Sequence, residues 1–363
     1  MVDRSPPPSR QKPPLSAASI VLRLAGIGAV VVAATGIFAY VGGYLDPQRL
    51  TPQTFVNTLE HNNGEHPGYR RNHPKGVCVA GYFESNGAAA QYSSAPLFDA
   101  VRTPVVGRFA LPTGNPYSPD SGAPLRSMAL RFTQGNGQQW RTGMNSMPVF
   151  PVGTPEAFYG LMQATAPDPA TGKPDPSKPP AFFAAHPEAG PFLAWAKSHK
   201  PSASYTTENY NSVNAFYLVS ADGKRQAVRW NMVPVAQDAP GDQAPEAKDY
   251  LEQDLTQHLA KGPLRWNLVF TLANAGDPTN DASKAWSGDH KTVNAGTLVL
   301  ESTTPQLSGD CRDVNYDPLV LPSGIEGSDD PLLAARSAVY AVSYHRRTRE
   351  VDQLPKTAQE SKQ

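Results

Sequence analysis

Cysteine occurs only twice in this chain, at Cys78 and Cys311. A framework of several disulfides and a cysteine-rich zinc cluster are both excluded. Neither sign of charge is in excess, with 32 basic residues against 32 acidic ones, so a general attraction to nucleic acid is not implied. No internal repeat is visible, which removes the stacked-repeat architectures. What is abundant is proline and glycine, 37 and 29 of 363 residues, and these favour turns and irregular connections over a helical bundle. With the N-terminal segment set aside, about 300 residues remain, enough for one large core in an all-β or α+β domain. Two buried free thiols are the plainer reading of the cysteines; pairing is open to them if the domain lies outside the cytoplasm.

Charge is also missing from Leu24 to Leu45, a run of 22 residues. That length crosses a bilayer as a helix, with Arg23 at its edge and Tyr40 and Tyr44 where an interfacial aromatic belt would lie. Residues 1–14 are proline-rich and basic and read as a disordered tail. Arg4, Arg10 and Lys12 place that tail in the cytoplasm, which sends the rest of the chain outward. The expectation is therefore a single-pass anchor over 15–45 in an inner membrane, with residues 46–350 forming a periplasmic domain and 351–363 a polar tail. A cleavable signal peptide is the rival, although the apolar run is long for one.

The chemistry of the chain is concentrated near its other end, from Gly324 to Arg347. Asp330 followed by Pro331 is a helix start: a side-chain oxygen to cap free amides, then a ring where no N–H is needed. At about 100° per residue, Arg336, Tyr340 and Arg347 fall within roughly 40° of one another on one helical face. A guanidinium one turn before a phenol stabilises a phenolate by charge and by hydrogen bonding. A tyrosinate so held is one of the few protein ligands used for ferric haem. Taken alone, a tyrosine and an arginine at this spacing are more often core packing beside a surface charge.

The stretch Gly324-Ile-Glu-x-Ser-x-Asp330-x-x-Leu-x-x-Arg336-x-x-x-Tyr340 resembles, without a gap, the proximal haem helix of catalases. Three further segments match in the expected order. Arg70-x-x-His73-x-x-Gly76-x-x-x-x-Gly81-x-Phe83 resembles the distal histidine segment. Thr103–Ala110 is a strand pattern with Arg108 inside it, and Trp140-x-x-x-x-Asn145-x-x-Pro148-x-Phe150 resembles the distal asparagine segment. The resemblance covers roughly residues 50–347 and points to the short catalase-related peroxidases, since full-size catalases continue well beyond the proximal segment.

The resemblance implies an α+β fold: a catalase-like antiparallel β-barrel with surrounding helices, binding one haem b. Tyr340 is then the iron ligand and Arg336 its charge partner. His73 and Asn145 act on the other haem face; Arg70, Arg108 and Arg347 meet the propionates; Phe150 and Phe158 flank the ring. A neutral imidazole can take a proton from one peroxide oxygen and return it to the other, and an amide can bond the developing negative charge without competing for that proton. A salt bridge to a protein carboxylate is the plainer role for Arg108.

One position departs from the family pattern. The serine usually found two residues after that arginine, which bonds the distal histidine, is Ala110. His73 is then expected to be less firmly oriented, favouring peroxidase over catalase turnover. The implied reaction is reduction of hydrogen peroxide or an organic peroxide by a small organic electron donor, in a monomer or dimer. A fatty-acid hydroperoxide isomerase or dehydratase and a non-enzymatic haem sensor are the alternatives. The hairpin around Phe216–Trp230 reads as structural.

Overall fold

The computed structural model describes residues 16–42, 44, 49–235 and 247–353. The expected tail over 1–14 and residues 354–363 of the polar tail lie outside them. The chain divides into two units, residues 1–51 and 52–363.

In the first unit, α1 spans Ala17–Val41, and the Ser16 side chain caps it by accepting from the Ser19 amide. At 1.5 Å per residue its 25 residues extend roughly 37 Å, more than a bilayer's hydrocarbon thickness. None of its side chains is buried, and apolar residues as different in direction as Val21, Leu24, Val30 and Phe38 are all exposed. The helix is long and apolar enough to cross a membrane.

The second unit is built on a closed antiparallel barrel of eight strands. Four form a meander: β1 (Gly76–Ser85), β2 (Arg102–Ala110), β3 (Ser127–Thr133) and β4 (Gln139–Asn145). The short β5 (Tyr210–Asn211) joins β4 to β7 (Arg225–Pro234). The ring then closes through β8 (Leu264–Leu272) and β9 (Thr292–Pro305) back to β1. Strands β6 (Phe216–Val219) and β10 (Ile325–Gly327) extend the sheet beside β7. Alternation decides which side chains go inside. In β4, Trp140, Thr142 and Met144 are buried, whereas Arg141, Gly143 and Asn145 on the other face are half-buried. Phe83, Phe109, Phe132, Trp140, Trp230, Trp266 and Phe270 fill the barrel.

Around it lie α2 (Pro52–Asn63), α3 (Pro155–Ala164), α4 (Lys178–Ala185), α5 (Gly190–Ser198), α6 (Tyr250–Lys261) and α7 (Pro331–Gln353). α4 and α5 are separated around Pro187, which has no amide hydrogen to donate. β9 is long, and is bulged opposite Ala80/Gly81.

The cysteines are paired. Cys78 on β1 is bonded to Cys311, 233 residues later, in the segment that leads into β10 and α7. Both are almost fully buried, so the disulfide staples the outer face of β1 to that segment. Closing so long a loop restricts the unfolded chain, and the double variant Cys78→Ser/Cys311→Ser is expected to lose about 3 kcal/mol of stability. Urea unfolding of the purified chain, read as a lower midpoint with a steeper slope because the unlinked chain unfolds to a more expanded state, checks this.

Candidate functional site

Between the outer face of β2–β4 and α7 lies a cavity of about 370 Å³. All nine residues singled out from the sequence line it: Tyr340, Arg336 and Arg347 from α7; His73 and Arg70 ahead of β1; Arg108 and Asn145 from the barrel; and Phe150 and Phe158.

The α7 side is set by the helix start. Asp330 Oδ1 accepts from the Leu332 amide at 2.9 Å, with Pro331 in the first turn. One turn later the Arg336 guanidinium stands 5.8 Å from the centre of the Tyr340 ring. Its hydrogen bonds go elsewhere, to Asn214 Oδ1 and, at 3.2 Å, to the Gly143 carbonyl. Arg336 therefore offers Tyr340 positive charge, and the hydrogen bond expected from the spacing is not among the described contacts. Asn214 is 2% exposed and donates at 2.7 Å to Asp330 Oδ2. A continuous polar chain, Asp330–Asn214–Arg336, thus holds the cation beside the phenol. Asn214 was absent from the sequence reading because it lies in a segment that looked purely structural. No local pattern marks it; the preceding Val213, at φ 65°, is a strained backbone position visible only in three dimensions. Gly143 belongs to the same geometry: a Cβ there would lie 3.4 Å from Arg336 Nη2 and 3.9 Å from the Tyr340 hydroxyl.

The opposite end of the cavity belongs to His73. Its backbone is also left-handed, φ 58°, with its amide donating to Asn72 Oδ1 at 3.0 Å. The half-buried imidazole lines the cavity, where the Asn145 side chain favours its charged form. Burial pulls its pKa down to about 4; the positive charge of Arg108 adds to this, as do Arg336 and Arg70, against the Asn145 side chain. At neutral pH the ring is an uncharged proton acceptor. Asn145 Oδ1 accepts in turn from Ser127 Oγ at 2.6 Å. Gly143 and Asn145 are two residues apart on one face of β4, a rise of about 7 Å. The strand therefore runs from the tyrosine side of the cavity to the histidine side.

Three arginines crowd the remaining wall. Arg70 donates to the carbonyls of Cys311, Arg312 and Val314, at 3.0, 3.3 and 2.9 Å. Arg347, 3% exposed, donates to the Arg312 carbonyl, and its one ion pair among the described residues is a long 3.7 Å contact with Asp313. Arg108 donates to the His73 carbonyl at 3.0 Å and Gln306 Oε1 at 2.7 Å, while its buried Nε has no partner. The plainer role for Arg108, a salt bridge to a protein carboxylate, is not found among the described residues. Burial pushes all three downward in pKa, and repulsion by Arg70 adds to the fall at Arg108 and at Arg347, which drops to about 9. Buried cations this poorly neutralised call for an anion from outside the chain. Phe150 and Phe158, with ring centres 5.3 Å apart, make an apolar wall, extended by Phe55 stacked on Phe158.

A protein-family model described as catalase matches residues 42–362. The chain belongs to the catalase family. Among curated catalase-family proteins, the catalase-related peroxidase of Synechococcus elongatus is 38% identical over 340 residues, covering 92% of this chain and 96% of its own. That of Mycolicibacterium paratuberculosis is 31% identical over 304 residues, covering 82% and 95%. Mouse catalase is 27% identical, with 84% of this chain matching 61% of that one. Solved catalases share the fold: a fungal catalase aligns with a TM-score of 0.71 at 22% identity, over 83% of this chain and 64% of its own. Catalase A of Saccharomyces cerevisiae aligns equally well, at 21% identity.

Catalase-family proteins are haem-dependent oxidoreductases, and the residues present here fit such a group. The unpaired Nε of Arg108 and the poorly neutralised cations suit a dianionic ligand edge. The aromatic wall suits a flat apolar ring, and a phenol and an imidazole line the same cavity.

Proposed function

We propose that this catalase-family oxidoreductase is a haem b peroxidase that reduces hydrogen peroxide or an organic peroxide with a small organic electron donor. The observation that carries this reading is one cavity lined both by the Arg336–Tyr340 pair and by an uncharged His73 with Asn145. When bound, the haem iron supplies the electrons that break the O–O bond. Tyr340 is its ligand, and the Arg336 charge supports an anionic oxygen there. Arg70, Arg108 and Arg347 neutralise the carboxylates. His73 takes the proton from the nearer peroxide oxygen and delivers it to the farther one, which leaves as water. The Asn145 amide bonds the peroxide during that transfer without exchanging a proton with it.

Weak oxygen release beside strong donor oxidation is the expected balance, motivated by alanine rather than serine at position 110. The test is a purified chain reconstituted with hemin, assayed for a tyrosinate-type ferric spectrum and then for peroxide consumption with phenolic and aminoaromatic donors. Failure to bind hemin overturns the reading. Oxygen release that outruns oxidation of every donor replaces peroxidase by catalase. α1 is read as a single-pass inner-membrane anchor with the barrel on the periplasmic side; protease accessibility in spheroplasts checks that orientation.

The position of His73 also predicts a pH profile. The working form is the neutral ring, which exists above its pKa, so activity is present at higher pH and lost as pH falls through about 4. The bimolecular rate constant for peroxide should be flat from about pH 8 to pH 5 and halve near pH 4. A midpoint near 6.5 would mean that His73 is neither buried nor crowded by the arginines.

A further inference from the structure

Ala110, Ser127 and Asn145 form one rung across three strands. Ala110 pairs with Ser127 between β2 and β3, and Ser127 pairs with Asn145 between β3 and β4. Residues directly opposite one another share a face, and all three line the cavity. A hydroxyl is therefore present on this rung, one strand over from the position where the family pattern has it. Ser127 is 6% exposed, and its hydroxyl has a single described acceptor, Asn145 Oδ1 at 2.6 Å. An amide free to turn about its Cβ–Cγ bond offers either its oxygen or its NH₂ to the cavity. Holding Oδ1 at the serine sets that rotation, and with it the direction of Nδ2. Asn145 and His73 line the same cavity, and the Asn145 side chain acts on the imidazole, so the setting passes from β3 through the amide toward the ring.

We propose that Ser127 is a positioning residue for the peroxide reaction. It locks the Asn145 amide, and so aligns the His73–Asn145 pair, from the strand next to the one on which the hydroxyl is missing. The claim rests on the haem-peroxidase reading above. The serine acts on the amide, and leaves the histidine without the direct hydroxyl contact that position 110 would supply.

A double-mutant cycle on the full hemin-loaded chain tests it, with two readouts: the bimolecular rate constant for hydrogen peroxide and the equilibrium affinity for cyanide. Cyanide enters as HCN, yields its proton to a base and then accepts a hydrogen bond, so it reports the pair without turnover. Ser127→Ala should lower both about tenfold at unchanged hemin content. Ser127→Thr, which keeps the hydroxyl, should stay within about twofold of wild type. In an Asn145→Ala background, Ser127→Ala should change neither by more than about twofold, because the residue through which it acts is gone. An undiminished tenfold loss in that background, or no loss in fully loaded Ser127→Ala, overturns the proposal and leaves the haem reading intact. A wild-type chain that takes up no hemin overturns both.

Discussion

Tyr340→Phe is expected to lower hemin affinity by at least about 100-fold, since losing an outer-shell partner alone commonly costs 10–100-fold and here the ligand oxygen itself is removed. The substitution deletes one atom from a ring that lies on α7 beside Arg336 and close to Gly143, so packing is conserved and the fold should survive. The matched control is Tyr344→Phe. Tyr344 lies one helical turn further on, lines the same cavity and stacks under Arg347 at 5.1 Å. Its loss should change hemin affinity by no more than about twofold. Titration of the apoprotein with hemin, followed by absorbance, reads both. Wild-type affinity and an unchanged ferric spectrum in Tyr340→Phe would remove the tyrosine from the iron and with it the proposed function.

His73→Ala has the second-largest expected effect, and a different signature. Hemin uptake should be retained, because His73 is not among the groups proposed to hold the cofactor. The bimolecular rate constant for peroxide should fall by about 10² to 10⁴, the usual contribution of a positioned acid–base group. The acid limb near pH 4 should vanish with the ring, while the left-handed backbone at φ 58° persists at the same position. Because the variant opens space in a cavity already present, added imidazole should restore part of the rate. A loss smaller than tenfold in fully loaded protein would mean that the proton is carried by another group.

These two variants probe residues that could be named from the amino-acid order, and the reason is physical. Arg336 and Tyr340 are one helical turn apart, and Asp330-Pro331 starts that helix, so their relation needs nothing beyond local geometry. His73 and Arg70 precede a strand whose register carries them to its mouth, and the alternation of β4 puts Asn145 on the face opposite Trp140. The barrel was legible through the resemblance to catalases, whose four matching segments place its strands in order around the site.

Polar partnership across the chain was not legible. Nothing near Asn214 announces that it joins Asp330 to Arg336, residues more than a hundred positions away. Ser127 reads as an ordinary strand residue until the register of β3 against β4 sets it beside Asn145. For Arg108 the plainer expectation was a protein carboxylate; among the described residues its partners are a histidine carbonyl and a glutamine, and one nitrogen has none.

By itself, the amino-acid order marked an apolar helix and a capped helix bearing Arg336 and Tyr340, and its resemblance to catalases supplied the antiparallel barrel and the expectation that His73 and Asn145 face a haem. Tertiary structure alone decided how those groups are held. It chose the Cys78–Cys311 link, the carbonyl cage around Arg70, the asparagine behind Arg336 and the serine behind Asn145. The division follows from what each level depends on. Helical and strand periodicity are properties of neighbouring residues, whereas a buried donor or acceptor takes its partner only after folding has removed water and brought distant segments within about 3 Å.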